Sequence, residues 1–134
     1  MYHLRRRAFN VYHCKKIKFV TEAAAHLDLK NLHAVHGRAV ELNCKADFRE
    51  KFDIVTARAV APSPKIYGET KNFIRRNGRY IFYKTPAQAA EELPELGKQK
   101  NMQWQCGKTF DLPGGAGSRC FIFSCPKSDP PRQK

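Results

Sequence analysis

The segment "FDIVTARA", Phe52 to Ala59, most limits what this chain can fold into. Phe52, Ile54, Val55 and Ala57, with Val60 just beyond, form a near-continuous apolar run. A strand with one solvated face alternates apolar and polar residues, whereas a parallel strand covered by helices on both faces reads as a continuous run. The segment is therefore expected to be a parallel strand buried on both sides. It ends on a charge, Arg58. In open α/β sheets ligands bind beyond the carboxyl ends of the strands, at a topological switch point. Arg58 is thus a candidate site residue, and a structural role for a lone arginine stays open on this pattern alone.

The flanking segments alternate in type. "AFNVYH", Ala8 to His13, has strand composition. "KKIKFVTEAAAHLDLKN" places Ile17, Val20, Ala24 and Leu27 on one helical face, with Asn31 as its stop. "LHAVHG" is a short strand closed by Gly37, and a turn of helix is expected from Ala39 to Leu42. After the apolar run, "PSPKIYGETKNFIRRNG" reads as a helix with prolines near its start and Asn77-Gly78 at its end. "RYIFYK" is a strand. The next segment opens as a helix, with Thr85 as cap and Pro86 in the first position, and Pro94 should kink or shorten it. "MQWQCGKTFDL" and "RCFIFSC", joined by "PGGAGS", form an antiparallel hairpin. This order predicts an α/β fold, a mainly parallel sheet with helices on both faces. Residues 1–125 are expected to form one domain and 126–134 a disordered basic tail.

The bulk properties narrow the function class. No apolar run approaches the ~20 residues of a membrane helix, and the basic start "MYHLRRRAFN" is followed by no signal-peptide core. A soluble cytoplasmic protein, not exported, is expected. Twenty-five Lys and Arg against 12 Asp and Glu give a formal charge of +13. Arg5, Arg6, Arg7, Lys15, Lys16 and Lys18 cluster at the start, and Lys71, Arg75, Arg76 and Arg79 form a second group. Such a surplus favours polyanions such as RNA, because neutralised phosphates release counterions. The five cysteines are odd in number and contain no CxxC pair, so neither a disulfide framework nor a zinc site is expected. Tyr80, Phe82, Tyr83 and Trp104 read as sheet packing in preference to a base-stacking platform.

"HGRAVEL", "FDIVTARAVAP", "GRYIFYKTPAQAAEEL" and the closing "DLPG…RCFIF" follow one another in the order and spacing of a known family. The chain resembles the 16S ribosomal RNA guanine-N7 methyltransferases, also called ribosomal RNA small subunit methyltransferase G or glucose-inhibited division protein B. The resemblance runs from about Lys15 to Phe123. It implies a Rossmann-like methyltransferase fold, S-adenosylmethionine as cofactor, and 16S ribosomal RNA or the small ribosomal subunit as partner of a monomer. It implies cofactor contacts at Ala39 and Val40, which follow the arginine of "HGRA", and at Arg58. Arg38 and Lys84 are weaker candidates for RNA contact. No catalytic dyad and no metal are implied, because guanine N7 already carries a lone pair. The family's glycine-rich loop follows a first strand at the centre of the sheet, yet the first glycine here is Gly37. The acid that holds the cofactor ribose would fall near Val11, and no Asp or Glu precedes Glu22; at the second "HGRA" contact, where many members have an acid, this chain has Val40, with Glu41 one place later. An N-terminally truncated domain is therefore expected, with either "AFNVYH" or a gap in the central place. Weak or absent cofactor binding by the chain alone follows from that expectation.

Overall fold

A computed structural model describes residues 7–11 and 14–127. The order is β1 (Arg7–Val11), α1 (Cys14–His26), β2 (Leu32–His36), α2 (Ala39–Leu42), β3 (Phe52–Arg58), α3 (Ser63–Thr70), β4 (Ile74–Lys84), α4 (Pro86–Gly97), β5 (Met102–Cys106), β6 (Phe110–Asp111) and β7 (Ser118–Pro126). A short 3-10 turn, Pro113–Gly115, joins the last two strands. The strands make two sheets. β1 and β2 pair in parallel, from Arg7 opposite Leu32 to Val11 opposite His36. The larger sheet has the order β3-β4-β7-β5, with β6 also paired to β7. Within it β3 and β4 are parallel, while β7 is antiparallel to β4, β5 and β6.

The core lies against the larger sheet. Tyr80 and Phe82 of β4, Leu96 of α4 and Ile122 of β7 are fully buried, with Ile66, Tyr67, Ala89 and Met102 around them. Trp104 stacks on Phe82 at 5.9 Å, and Tyr67 meets Tyr80 edge-on, so these aromatics fill the interior as expected. Tyr83 points to the other face and packs edge-on against Phe121. Tyr80 is paired at both polar ends: its hydroxyl donates to the Thr70 carbonyl at 3.1 Å and its amide to Ser124 Oγ at 2.9 Å, whereas Ser63 Oγ and Trp104 Nε1 are buried without a hydrogen-bond partner among the described residues. α4 opens with a reciprocal cap. The Gln88 amide donates to Thr85 Oγ1 at 3.2 Å and the Thr85 amide to Gln88 Oε1 at 3.1 Å. The helix then continues through Pro94 to Gly97.

Several expectations need correction. α1 stops at His26, because Asp28 adopts a left-handed φ of 52° that turns the chain five residues' distance short of a helix reaching Asn31. α3 stops at Thr70, and Asn77-Gly78 lies inside β4 instead of closing a helix. Sheet pairing takes over there: the Glu50 amide donates to the Asn72 carbonyl and the Phe52 amide to the Phe73 carbonyl. Between Phe52–Ile74 and Ile54–Arg79 the register shifts, so Asn77-Gly78 marks a bulge. Gly78 fits because a Cβ there would stand 2.2 Å from Ile74 Cγ1 and 2.9 Å from the Asp53 carbonyl oxygen.

The apolar run itself is not buried on both faces. Along β3, Ile54, Thr56 and Arg58 are exposed and Val55 and Ala57 half-buried. The physical reason is its position: β3 pairs only with β4 among the described residues, and one of its edges and one of its faces lack a neighbour. β1 ends at Val11 and does not take the central place; among the described residues it pairs with β2 alone. Residues 12 and 13 of the expected first strand lie outside the described residues. β7 extends to Pro126, one residue into the expected tail, whose residues 128–134 also lie outside the description.

Candidate functional site

Parallel strands bring their carboxyl ends to one side of a sheet, and the candidate residues stand there. Arg58 closes β3 opposite Tyr83, so Lys84 is the next residue along the neighbouring strand. Arg38, Ala39 and Val40 follow β2. Arg38 takes the extended conformation before α2, which brings its carbonyl to accept the amides of Glu41 and Leu42. Ala39 is buried with Leu42 and Phe73, and Val35, Phe48, Phe52 and Val55 pack around them. Val40, by contrast, is 50% exposed, and Glu41 beside it is exposed. The short helix thus hides one candidate side chain and presents the other.

Arg58 is exposed, and the chain turns sharply after it. Ala59 has φ 52°, a left-handed conformation that is uncommon for a residue with a Cβ. The loop beyond is fastened from below. Lys84 Nζ donates to the Ala61 carbonyl at 3.1 Å and pairs with Glu92 Oε2 at 2.9 Å. Glu92 Oε2 accepts the Ser63 amide at 2.8 Å. The Lys84 and Glu92 side chains are only 8% and 11% exposed. Burial by itself would push the Glu92 carboxyl up. The hydrogen bonds from Ser63 and the charge of Lys84 outweigh it and hold the carboxyl below the usual range.

The structure therefore brings Arg58 and Lys84 to one edge but gives them different surroundings. Arg58 faces solvent; the ammonium of Lys84 is buried and committed to Glu92 and Ala61. A lysine so held acts on the loop after β3. Glu92 and the strained Ala59 were not singled out from the sequence. The partner of a lysine eight positions away on the following helix carries no motif, and a left-handed alanine carries none either. The described residues contain no group of three His, Cys, Asp or Glu placed to hold a metal ion, and no helix among them is long and apolar enough to cross a membrane.

Parallel strands with helices between them, candidate residues at the carboxyl ends and an antiparallel β4-β7-β5 end define the Rossmann-like fold of S-adenosylmethionine-dependent methyltransferases. Solved structures bear this out for the fold. A cofactor-bound protein from MTB superposes with a TM-score of 0.73 at 14% identity, covering 92% of this chain and 62% of that one. An rRNA methylase from Streptococcus thermophilus gives 0.65 at 9% identity, covering 90% and 73%. The sequence profile of GidB, rRNA small subunit methyltransferase G, matches residues 12–116. The chain belongs to the rRNA small subunit methyltransferase G family. The protein of that name from Lachnoclostridium phytofermentans is 44% identical over 113 residues, 81% of this chain and 46% of its own length. That of Streptococcus agalactiae serotype V is 39% identical over 119 residues, 87% of this chain and 50% of its own. The chain thus spans about half the length of the curated relatives it matches.

Proposed function

We propose that this chain carries one wall of the active site of an S-adenosylmethionine-dependent methyltransferase that modifies guanine N7 in 16S ribosomal RNA. The observation that carries the reading is the fastened turn after β3, which holds Arg58 exposed at the carboxyl end of a parallel strand in a chain of this family. Exposed apolar Val40 and cationic Arg58, both following parallel strands, suit an adenosine ring and a cofactor carboxylate respectively. Ala39 acts through its backbone, since its side chain is buried under Leu42. Bound S-adenosylmethionine supplies a methyl group already activated on a sulfonium. That chemistry would leave to this chain's residues the holding of the cofactor and the alignment of guanine N7 with its methyl group. No proton has to leave N7, so the residues needed are those that align and hold. Arg58 and Val40 orient the cofactor, and Arg38, exposed before α2, contacts the RNA backbone. Lys84 and Glu92 fix the loop on which Arg58 depends.

The surplus of basic residues, 25 Lys and Arg against 12 Asp and Glu, favours a second reading, a non-catalytic RNA-binding module of the same fold. Calorimetric titration with S-adenosylmethionine, run on the chain and on Arg58→Ala, separates the two. Binding weakened tenfold or more in the variant supports the cofactor role of Arg58. Equal binding by both removes Arg58 from the site. No binding by either, with 16S RNA retained at low salt and released at high salt, favours the RNA-binding module.

A further inference from the structure

The helices α3 and α4 pack on one face of the larger sheet, where Tyr80 and Phe82 are fully buried. The opposite face also carries aromatics, at the carboxyl ends of β3 and β4, and these are open. Arg58, Tyr83 and Phe121 stand side by side on three neighbouring strands, since Arg58 is paired with Tyr83 and Tyr83 with Phe121. Phe110 of β6 is paired with Arg119, two residues before Phe121 on β7. Tyr83 meets Phe121 edge-on at 5.0 Å, and Phe121 stacks on Phe110 at 5.3 Å. Tyr83 is 44% exposed and Phe110 40%, so this row keeps open ring surface that the buried row lacks. Arg58 is exposed at one end. Arg119 is half-buried at the other, with Nη1 donating to the Ser118 carbonyl at 2.8 Å and the rest of its five-donor fork directed elsewhere. The alternate residues of β3, β4 and β7 that make this face include Arg58, Arg79 and Arg119 and no Asp or Glu. Asp111, next to Phe110, alternates to the other face, where Ser118 Oγ donates to it.

We infer, on the RNA reading proposed above, that Tyr83, Phe121 and Phe110 form a stacking platform for unpaired RNA bases, with Arg58 and Arg119 at its two ends. Every base has a π face, so open aromatic rings hold a single strand with little sequence preference. A duplex keeps its bases stacked inside and is held through its backbone and shape. Rings flanked by guanidinium groups, with no acid on their face, suit a polyanion whose bases are free to stack. The aliphatic Ile54 and Ile81 of the same face lie farther from the carboxyl ends and outside this row. Neighbouring strands lie ~4.8 Å apart, which places Phe121 roughly 10 Å from Arg58 across the sheet. A base on Tyr83 therefore lies beside the arginine proposed to hold the cofactor. The bases that run on toward Phe110 are those flanking the guanine to be modified.

The test is fluorescence anisotropy with a labelled single-stranded oligoadenylate of about ten nucleotides, within the site sizes of stacking surfaces, and with an RNA duplex of the same length. The double variant Tyr83→Leu/Phe110→Leu keeps apolar bulk at two exposed positions and removes the rings. Wild type is expected to prefer the single strand, and the variant to bind it at least tenfold more weakly. Duplex binding and the salt slope should stay as in wild type, since no charge has changed. Arg119→Gln should instead lower the salt slope and weaken both probes. Equal single-strand binding by wild type and the leucine variant would overturn the platform and leave the RNA reading standing on phosphate contacts. Photocrosslinking of wild type to an oligoadenylate carrying one 4-thiouridine needs no variant: adducts belong on Tyr83, Phe110 or Phe121, and adducts confined to other residues would overturn the inference. So would a dimer of the chain that Phe110→Lys dissociates, since a second copy would then cover the face. No binding of either probe by wild type would remove the RNA reading and the platform together, a result distinct from failure of the cofactor titration.

Discussion

Replacing Glu92 by leucine leaves a buried ammonium without its counter-charge. Lys84 Nζ lies 2.9 Å from Glu92 Oε2, and the two side chains are 8% and 11% exposed. At that distance and an effective dielectric of about 20 the attraction is ~6 kcal/mol, most of it offset by desolvation of the two ions. Removing one partner forfeits the attraction while the desolvation of the other remains, which costs about 3–5 kcal/mol. Urea unfolding at pH 7 should show a loss in that range for Glu92→Leu. The double variant Lys84→Met/Glu92→Leu should lose less than the single, because no unpaired charge is left. The pH dependence has a definite sign. The Glu92 carboxyl is held below its ordinary value of 4.5, so its contribution is fully present above that pH and fades as pH falls through the lower folded value. Wild type and Glu92→Leu should therefore converge in acid. A loss under about 1 kcal/mol at pH 7, the range of solvent-screened pairs, would refute the reasoning. So would a difference that persists unchanged to pH 2.

Gly78→Ala should cost about 1–3 kcal/mol by overpacking, since the new methyl meets Ile74 and the Asp53 carbonyl; an unchanged urea midpoint would show that the bulge yields freely. Burial holds the Tyr80 hydroxyl in its neutral form above the ordinary 10.0, so its contribution is intact below pH 10 and lost as pH rises through the folded value. Tyr80→Phe should remove that alkaline decline in melting temperature, and a decline of the same slope would assign it elsewhere. Amides of α1 and β2 should exchange much faster than those of β4 and β7, because Ala24 is the one buried hydrophobic among the described side chains of those two elements. Uniform exchange across both sheets would contradict this.

What the sequence disclosed depended on how local the cause was. The cap of α4 is written in Thr85, Pro86 and Gln88, and the structure has it. The alternation of elements and the family motifs identified the fold. The end of α3 was misread because Asn77-Gly78 is chemically suited both to a helix stop and to a bulge; only the pairing of Asn72 and Phe73 with the start of β3 decides between them. Burial of β3 was misread because an apolar run records the neighbours a strand is built for, and those neighbours are not among the described residues. In the site, Arg58 was legible as a charge ending an apolar run. The confinement of Lys84 was not, since its cause is the fold of α3 and α4 against the end of β4, which places Glu92 and Ser63 together.

The arrangement after β3 bears on how methyl transfer would be organised. Alignment of a nucleophile with a methyl group is lost when the loop that holds the cofactor must be ordered at the moment of binding. Here the left-handed turn at Ala59 costs of order 1–3 kcal/mol. Two bonds to the loop backbone, from Lys84 to the Ala61 carbonyl and from the Ser63 amide to Glu92, offset it within the protein itself. The pair that supplies them rests on β4 and α4, whose side chains Tyr80, Phe82, Ala89 and Leu96 form the best-packed part of the molecule. The Arg58 wall is thus ordered before any ligand arrives. The Val40 wall has no such support: α2 is four residues long and held by Ala39 and Leu42 against Phe73. The two walls differ in rigidity because the turn after Arg58 is tied to β4 and α4, whereas α2 rests on a small apolar cluster. Cofactor affinity should for that reason depend more on what steadies α2 than on any further contact to Arg58.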